Sequence, residues 1–321
     1  MKALLFDFFH SGTEAQQSKK RMTALVLCAT AAVLAIALLV LAIGSVAIAI
    51  KNKNSTGEED ESCEVKIPNG YTTTTLDPSL ITSGNLLLLD ADHPYAGSAP
   101  NVVLFNGHES RPTTSDGKNI YSIGGILDLC ATEETVVAFN SMIAAFYADA
   151  NAGGDNNLYI AGAYNKNAAN QANELYKAGT TVALNYYVYY NGNSDFELAS
   201  INGVKKYEWI YDHAHEYGFI PASVEEGKEH LFRYVGVAHA TYMHNNNKTF
   251  AEYITILQGR SYKSPLSASA KNAEGESVSY NMYYLASGSE YVVPEKWAYE
   301  VSGDNVSGYI VTVNKSKTVT K

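Results

Sequence analysis

No Cys-x-x-Cys pair, His-Glu-x-x-His helix, nucleophile elbow or glycine-rich phosphate loop occurs in this 321-residue sequence. Thiolate zinc sites, the common helical metalloprotease site, serine hydrolases and phosphate-loop enzymes therefore have no foothold. Cysteine is scarce, with three residues. Cys28 lies in an apolar run and serves there as a small apolar side chain, while a Cys63–Cys130 disulfide is left undecided by sequence, which does not fix the distance between the two. Positive charge is in deficit, with 23 Lys and Arg against 33 Asp and Glu. Residues 1–21 hold four of the basic and two of the acidic groups, so the remainder carries 19 against 31 and offers nothing to nucleic acid.

Charge is missing altogether from residues 22–50, from Met22 to Ile50. That run exceeds the ~20 residues a spanning helix needs and the apolar region of a secretory signal. It is read as a retained transmembrane helix, although Ala47-Ile48-Ala49 would also suit a cleaved signal. Lys19, Lys20 and Arg21 precede the run, whereas Lys51 and Lys53 are soon followed by Glu58, Glu59, Asp60 and Glu61. The positive-inside bias then predicts a single-pass protein, with a cytoplasmic tail at 1–21, an extracellular linker at 51–69 and the main body outside the cell membrane.

Beyond the linker the pattern turns periodic. Tyr71–Leu76 is threonine-rich and strand-prone, and Asn85–Leu89 and Asn101–Phe105 are apolar runs. Val136, Phe139, Met142, Ile143 and Phe146 fall on one side of a helix predicted over 133–150. A short strand at 158–161, a helix at 167–177, a Val- and Tyr-rich strand at 180–190 and a helix at 206–217 stopping at Gly218 follow. Helices and strands without a regular alternation predict an α+β domain over 70–262. Residues 263–321 read as a small β-rich appendage, with a turn at Ser302-Gly303-Asp304-Asn305.

The run Lys228-Glu229-His230-Leu231-Phe232-Arg233-Tyr234-Val235-Gly236 resembles Glu-Pro-Trp-His-Phe-Arg-Tyr-Val-Gly of the VanY-type D-alanyl-D-alanine carboxypeptidases, peptidase family M15. So, in order, do Gly84–Leu89 with Asp92-His93-Pro94-Tyr95, Tyr164 and Gln171, Tyr207-Glu208-Trp209-Ile210 and Tyr217-Gly218-Phe219-Ile220. The resemblance spans about 70–262 and implies the Hedgehog/D-Ala-D-Ala carboxypeptidase type of fold. In that family a zinc held by His, Asp and His activates water and polarises the scissile carbonyl.

The scaffold letters agree and the chemical ones do not. The first two family ligands sit in Pro-Gly-x-Ser-x-His-x-x-Gly-x-Ala-x-Asp. A gap-free match to Ala178–Tyr190 places Ala183 at the histidine and Tyr190 at the aspartate, with Leu231 at the third ligand. Lys228 stands at the general base and Asn165 at the substrate-clamping arginine. On this match no catalytic residue and no metal ligand is expected, and no cofactor. What remains is a cleft for a cell-wall stem peptide or another envelope component, with Thr181, Lys228, His230, Tyr164 and Gln171 as candidate contacts. The competing reading is an active zinc carboxypeptidase that trims terminal D-alanine through a rearranged site, for which His230 is the nearest substitute ligand.

Overall fold

The computed structural model describes residues 67–124, 128–149, 154–193, 195–222, 230–272, 275–288 and 290–319. The charge-free run at 22–50, the tail and linker around it, and Cys63 lie outside them. Among the described residues no helix is long and apolar enough to cross a membrane.

The described chain opens with β1 (Tyr71–Thr74), β2 (Val103–Leu104), β3 (Ser122–Ile123) and β4 (Leu129–Ala131), then α1 (Glu133–Ala148). After β5 (Leu158–Gly162) and β6 (Tyr164–Asn165) come the long β7 (Thr181–Tyr190) and its hairpin partner β8 (Asp195–Ser200). Next are α2 (Glu208–His213), β9 (Phe219–Pro221), β10 (Leu231–Tyr234), α3 (Val237–Asn245) and α4 (Phe250–Gln258). The chain ends in β11 (Leu266–Lys271), β12 (Ser277–Ala286), β13 (Tyr291–Pro294), β14 (Trp297–Gly303) and β15 (Gly308–Thr318).

The central sheet runs β3-β5-β7-β10-β9, with β8 added to the outer half of β7. Only β3 and β5 are parallel within it. Its inner face receives α1, whose Val136, Phe139, Met142, Ile143 and Phe146 are all fully buried, as the 3.6-residue period requires. Phe139 sits edge-on to Phe105 and Tyr121, each at 5.4 Å. Glu133 and Glu134 in the first turn of α1 complement the helix dipole.

The final five strands are not a free-standing unit. β11-β12-β15-β14 form an antiparallel sheet against which α3 and α4 pack, so Leu86, Ile220, Val235, Tyr253 and Leu257 share one core with Leu266, Met282 and Ile310. β1 pairs with β13, which ties the start of the body to its end. A capping box of Thr249 and Glu252 starts α4. At the centre, His239 of α3 meets the Tyr253 hydroxyl at Nδ1 (2.6 Å) and Thr312 Oγ1 at Nε2 (2.7 Å).

Two elements differ from the sequence pattern. The helix predicted over 167–177 is a single 3-10 turn, Glu174–Tyr176, because Asn173 caps it and Gln171 binds the backbone of Asn165 instead of entering a helix. The segment after Gly84 is buried without joining a strand. Leu86 N donates to Ser302 Oγ (2.9 Å), and Asn305 Nδ2 donates to the carbonyl of Leu88 (3.0 Å). Gly84 (φ 112°) lies so close that a Cβ there would stand 2.4 Å from Ser302 Oγ.

Phe139→Ala should cost about 3–5 kcal/mol in urea unfolding, whereas Val137→Ala, at a position 39% exposed, should cost well under ~1 kcal/mol. Burial alone depresses His239, to about 3. A ring kept neutral in the fold but protonated when unfolded gives stability that is complete above pH ~6.5 and lost as pH falls towards the folded value. The expected loss is at most ~1.4 kcal/mol per pH unit. The same unfolding series on His239→Gln should show a shallower acid slope, with a smaller component of the same sign remaining from His215, which is depressed by burial and by His244.

Candidate functional site

Strand pairing places Ala183 directly opposite Leu231, and Thr181 opposite Arg233. Partners across a ladder share a face, so all four point away from α1. Ala183 and Leu231 pack there with Leu87, Leu89, Leu175, Tyr176 and Ala178, forming a closed apolar plug.

Tyr190 is not part of it. It lies seven residues from Ala183 on one unbroken strand, about 23 Å away at ~3.3 Å per residue, and an odd spacing turns it to the other face. Its side chain is exposed and its hydroxyl bonds Glu197. The gap-free match therefore fails geometrically, since no single ion reaches both positions. Moving the motif seven residues earlier repairs it. Tyr176 then takes the first histidine position, Gly179 the glycine three residues on, and Ala183 the aspartate. Tyr176, Ala183 and Leu231 do meet, in the plug. The ambiguity came from Gly179, because the motif has two glycines seven residues apart and either can claim it. Nothing in local sequence singles out Tyr176; the signal is the spacing from Tyr176 to Gly179.

These three side chains do not suit zinc. Leucine and alanine have no donor atom, and burial pushes the Tyr176 phenol up to about 12, so it stays protonated at neutral pH. The Tyr176 ring fills the space over Gly162, where a Cβ would stand 2.4 Å from the phenol oxygen. His230 is no substitute, because its carbonyl accepts from Leu184 N (2.9 Å) and continues the ladder, leaving it out of phase with Leu231. Among the described residues no three His, Cys, Asp or Glu side chains gather where they could hold one ion.

The other candidate contacts separate. Thr181 is fully buried, with its hydroxyl unpartnered. Gln171 clamps the backbone of Asn165, donating to its carbonyl (2.9 Å) and accepting from its N–H (2.7 Å). The Asn165 side chain accepts from Asn167 N. Tyr164 pairs with the buried Cys130 in the small β2-β4-β6 sheet. Lys228 lies outside the described residues. Arg233 is architectural: Nη2 donates to the carbonyls of Asn85 and Leu87, and the guanidinium lies 4.2 Å from the Phe250 ring.

Beside the plug opens a cleft of about 490 Å³, lined by Leu89, Asp90, Pro94, Asn173, Glu174 and Leu175 among others. Burial pushes the Asp90 carboxyl up, but the His93 ring and the backbone N–H groups of His93 and Asp92 outweigh it and hold it below the usual range. Glu174 is likewise raised by burial and more strongly lowered, by Lys177 and the N–H of Tyr95. Both are ionised at neutral pH. They can hold a cation but are not tuned to exchange a proton there.

No family profile matches the chain. The fold is shared with a solved vancomycin-resistance D,D-dipeptidase, VanXYg, in complex with a D-Ala-D-Ala phosphinate analogue. That match has a TM-score of 0.55 at 17% identity and covers 76% of this chain and 99% of that one. In sequence the chain is similar to a D-alanyl-D-alanine carboxypeptidase of Enterococcus faecium, 27% identical over 263 residues, 77% of this chain and 80% of the relative. The chain is thus similar in sequence to a D-alanyl-D-alanine carboxypeptidase and shares its fold with a D,D-dipeptidase.

Installing ligand residues at these positions tests the register. Tyr176→His, Ala183→Asp and Leu231→His together should retain zinc at about one per chain after dialysis, since three convergent ligands suffice for a site. The set Ala183→His, Tyr190→Asp and Leu231→His should retain none by elemental analysis.

Proposed function

We propose that this chain is a zinc-less relative of the D-alanyl-D-alanine carboxypeptidases that binds a cell-wall stem peptide without cleaving it. The single-pass helix at 22–50 holds the body outside the cell membrane, with the N-terminus in the cytoplasm. The observation that supports the reading is the plug: Tyr176, Ala183 and Leu231, which the shifted match aligns with the family's metal ligands, meet as packed side chains. The similarity to the Enterococcus faecium carboxypeptidase supports a peptide of the cell wall as the partner. The ionised Asp90 and Glu174 suit a free amino group on such a peptide.

The full chain, incubated with a pentapeptide ending in D-Ala-D-Ala, should release no D-alanine with or without added zinc. Calorimetry should show that the same pentapeptide binds, and that Asp90→Asn weakens binding about tenfold, the equivalent of ~1.4 kcal/mol. Release of D-alanine that a chelator abolishes and zinc restores would sink the reading. Protease added to intact cells should remove the body and leave the tail, which checks the orientation.

A further inference from the structure

The sheet face that carries Ala183 and Leu231 extends well past the plug. Side chains alternate along β7, so Asn185, Tyr187 and Tyr189 lie on that face. Their partners share it: Tyr159 opposite Asn185, Leu198 opposite Tyr187, and Phe196 opposite Tyr189. The rings form a ladder. Tyr187 lies edge-on to Tyr159 at 5.3 Å and to Phe196 at 5.1 Å, and Tyr189 is 6.3 Å from Phe196. Its outer rungs are open to solvent, with Phe196 61%, Tyr189 45% and Leu198 40% exposed. Contiguous apolar exposure of this kind marks an interaction surface.

At its inner edge the ladder meets a polar pocket of about 370 Å³, where Tyr187 shares the lining with Asn106, Arg111, Asn119, Ser122 and Asp128. Arg111 is held in place: Nη1 donates to Asn106 Oδ1 (2.9 Å), Nη2 to the Tyr121 carbonyl (2.7 Å), and its guanidinium carbon lies 4.7 Å from the centre of the Tyr121 ring. Aromatic faces in a row, running into a pocket of amides, a hydroxyl, the Asp128 carboxylate that can accept from a sugar hydroxyl, and a fixed guanidinium, fit one kind of polymer best. A pyranose ring offers a face of C–H groups to an aromatic ring and a rim of hydroxyls to polar side chains. An acetamido or carboxylate substituent gives Arg111, which has donors only, an acceptor to bind. A lipid surface suits the site poorly, because the pocket that the rings run into is lined by amides, a hydroxyl and the Asp128 carboxylate.

We propose that the Tyr187, Tyr189 and Phe196 ladder and the Arg111 pocket form a track for a polysaccharide with N-acetylated or acidic sugars, separate from the peptide cleft. The inference goes beyond the peptide-binding reading and rests on it only for the choice of a cell-wall sugar as probe.

The test titrates the full chain with a β-1,4-linked hexamer of N-acetylglucosamine, with the matching glucose hexamer, and with the stem pentapeptide alone. The N-acetylglucosamine hexamer should bind, and Tyr189→Ala with Phe196→Ala should weaken it at least about tenfold while leaving the pentapeptide titration and the unfolding curve unchanged. Both positions are exposed, so the fold does not depend on them. Arg111→Gln should erase the preference for the acetylated hexamer over the plain one. Absence of hexamer binding overturns the proposal. So does a dimeric mass in sedimentation that reverts to a monomer in the Tyr189 and Phe196 variant, because the face would then belong to a second copy. Loss of pentapeptide binding alone sinks the peptide reading and leaves this one standing.

Discussion

A residue on an extended strand can serve only one face of its sheet, and β7 is where that rule governs this molecule. Val182, Leu184 and Tyr186 turn inward to the core beneath α1, which commits Thr181, Ala183, Asn185, Tyr187 and Tyr189 to the other side. The core fixes the phase, because a slip of one residue would bury Asn185 and expose Leu184. Every feature of the opposite face inherits that phase: the pairing of Ala183 with Leu231, the exclusion of His230, and the ring ladder farther out. A neighbouring histidine cannot be turned into the site without a bulge, and β10 pairs with β7 in regular register from Leu231 to Arg233.

On the proposed zinc-less reading, the composition of the plug follows from the cost of burying ligands that hold no ion. Three buried metal ligands without their metal would be unpaired polar groups, each costing about 1–3 kcal/mol. A buried leucine in the same place contributes roughly 1.5–3 kcal/mol instead. On that reading, replacing one ligand alone would leave the other two stranded, so the three positions change together; the ring of Tyr176 fills the volume against Gly162. Arg233 shows the complementary case. It keeps a buried charge because the carbonyls of Asn85 and Leu87 and the ring of Phe250 receive it, and those contacts hold the segment that roofs the plug.

Where structure follows local pattern, the sequence is transparent. The apolar period of 133–148 yields α1 with each of its five named residues buried, β7 follows its Val and Tyr run, and the helical stretch before Gly218 stops there with φ 84°. What stays hidden is set by distant partners. Leu86 to Leu89 are buried through Ser302, Asn305 and Arg233, more than a hundred residues away, and no window around position 87 contains that information. The motif register is hidden for another reason, since a repeated glycine permits two alignments and only the packing of Tyr176 beside Ala183 and Leu231, with Tyr190 far along β7, decides between them.

The two ends of this sheet face differ in energetic sign. Packing Leu231 and Tyr176 into the plug removes apolar surface from water and stabilises the fold, so packing is a sufficient account of it. Exposing Phe196, Leu198 and Tyr189 does the opposite: it leaves apolar surface in water on β8, which pairs only with β7 among the described strands. Such an edge invites association with other chains unless something covers it. Stability therefore explains the closed end of the face and not the open one, and the proposed sugar track would account for the open one by covering it in the complex.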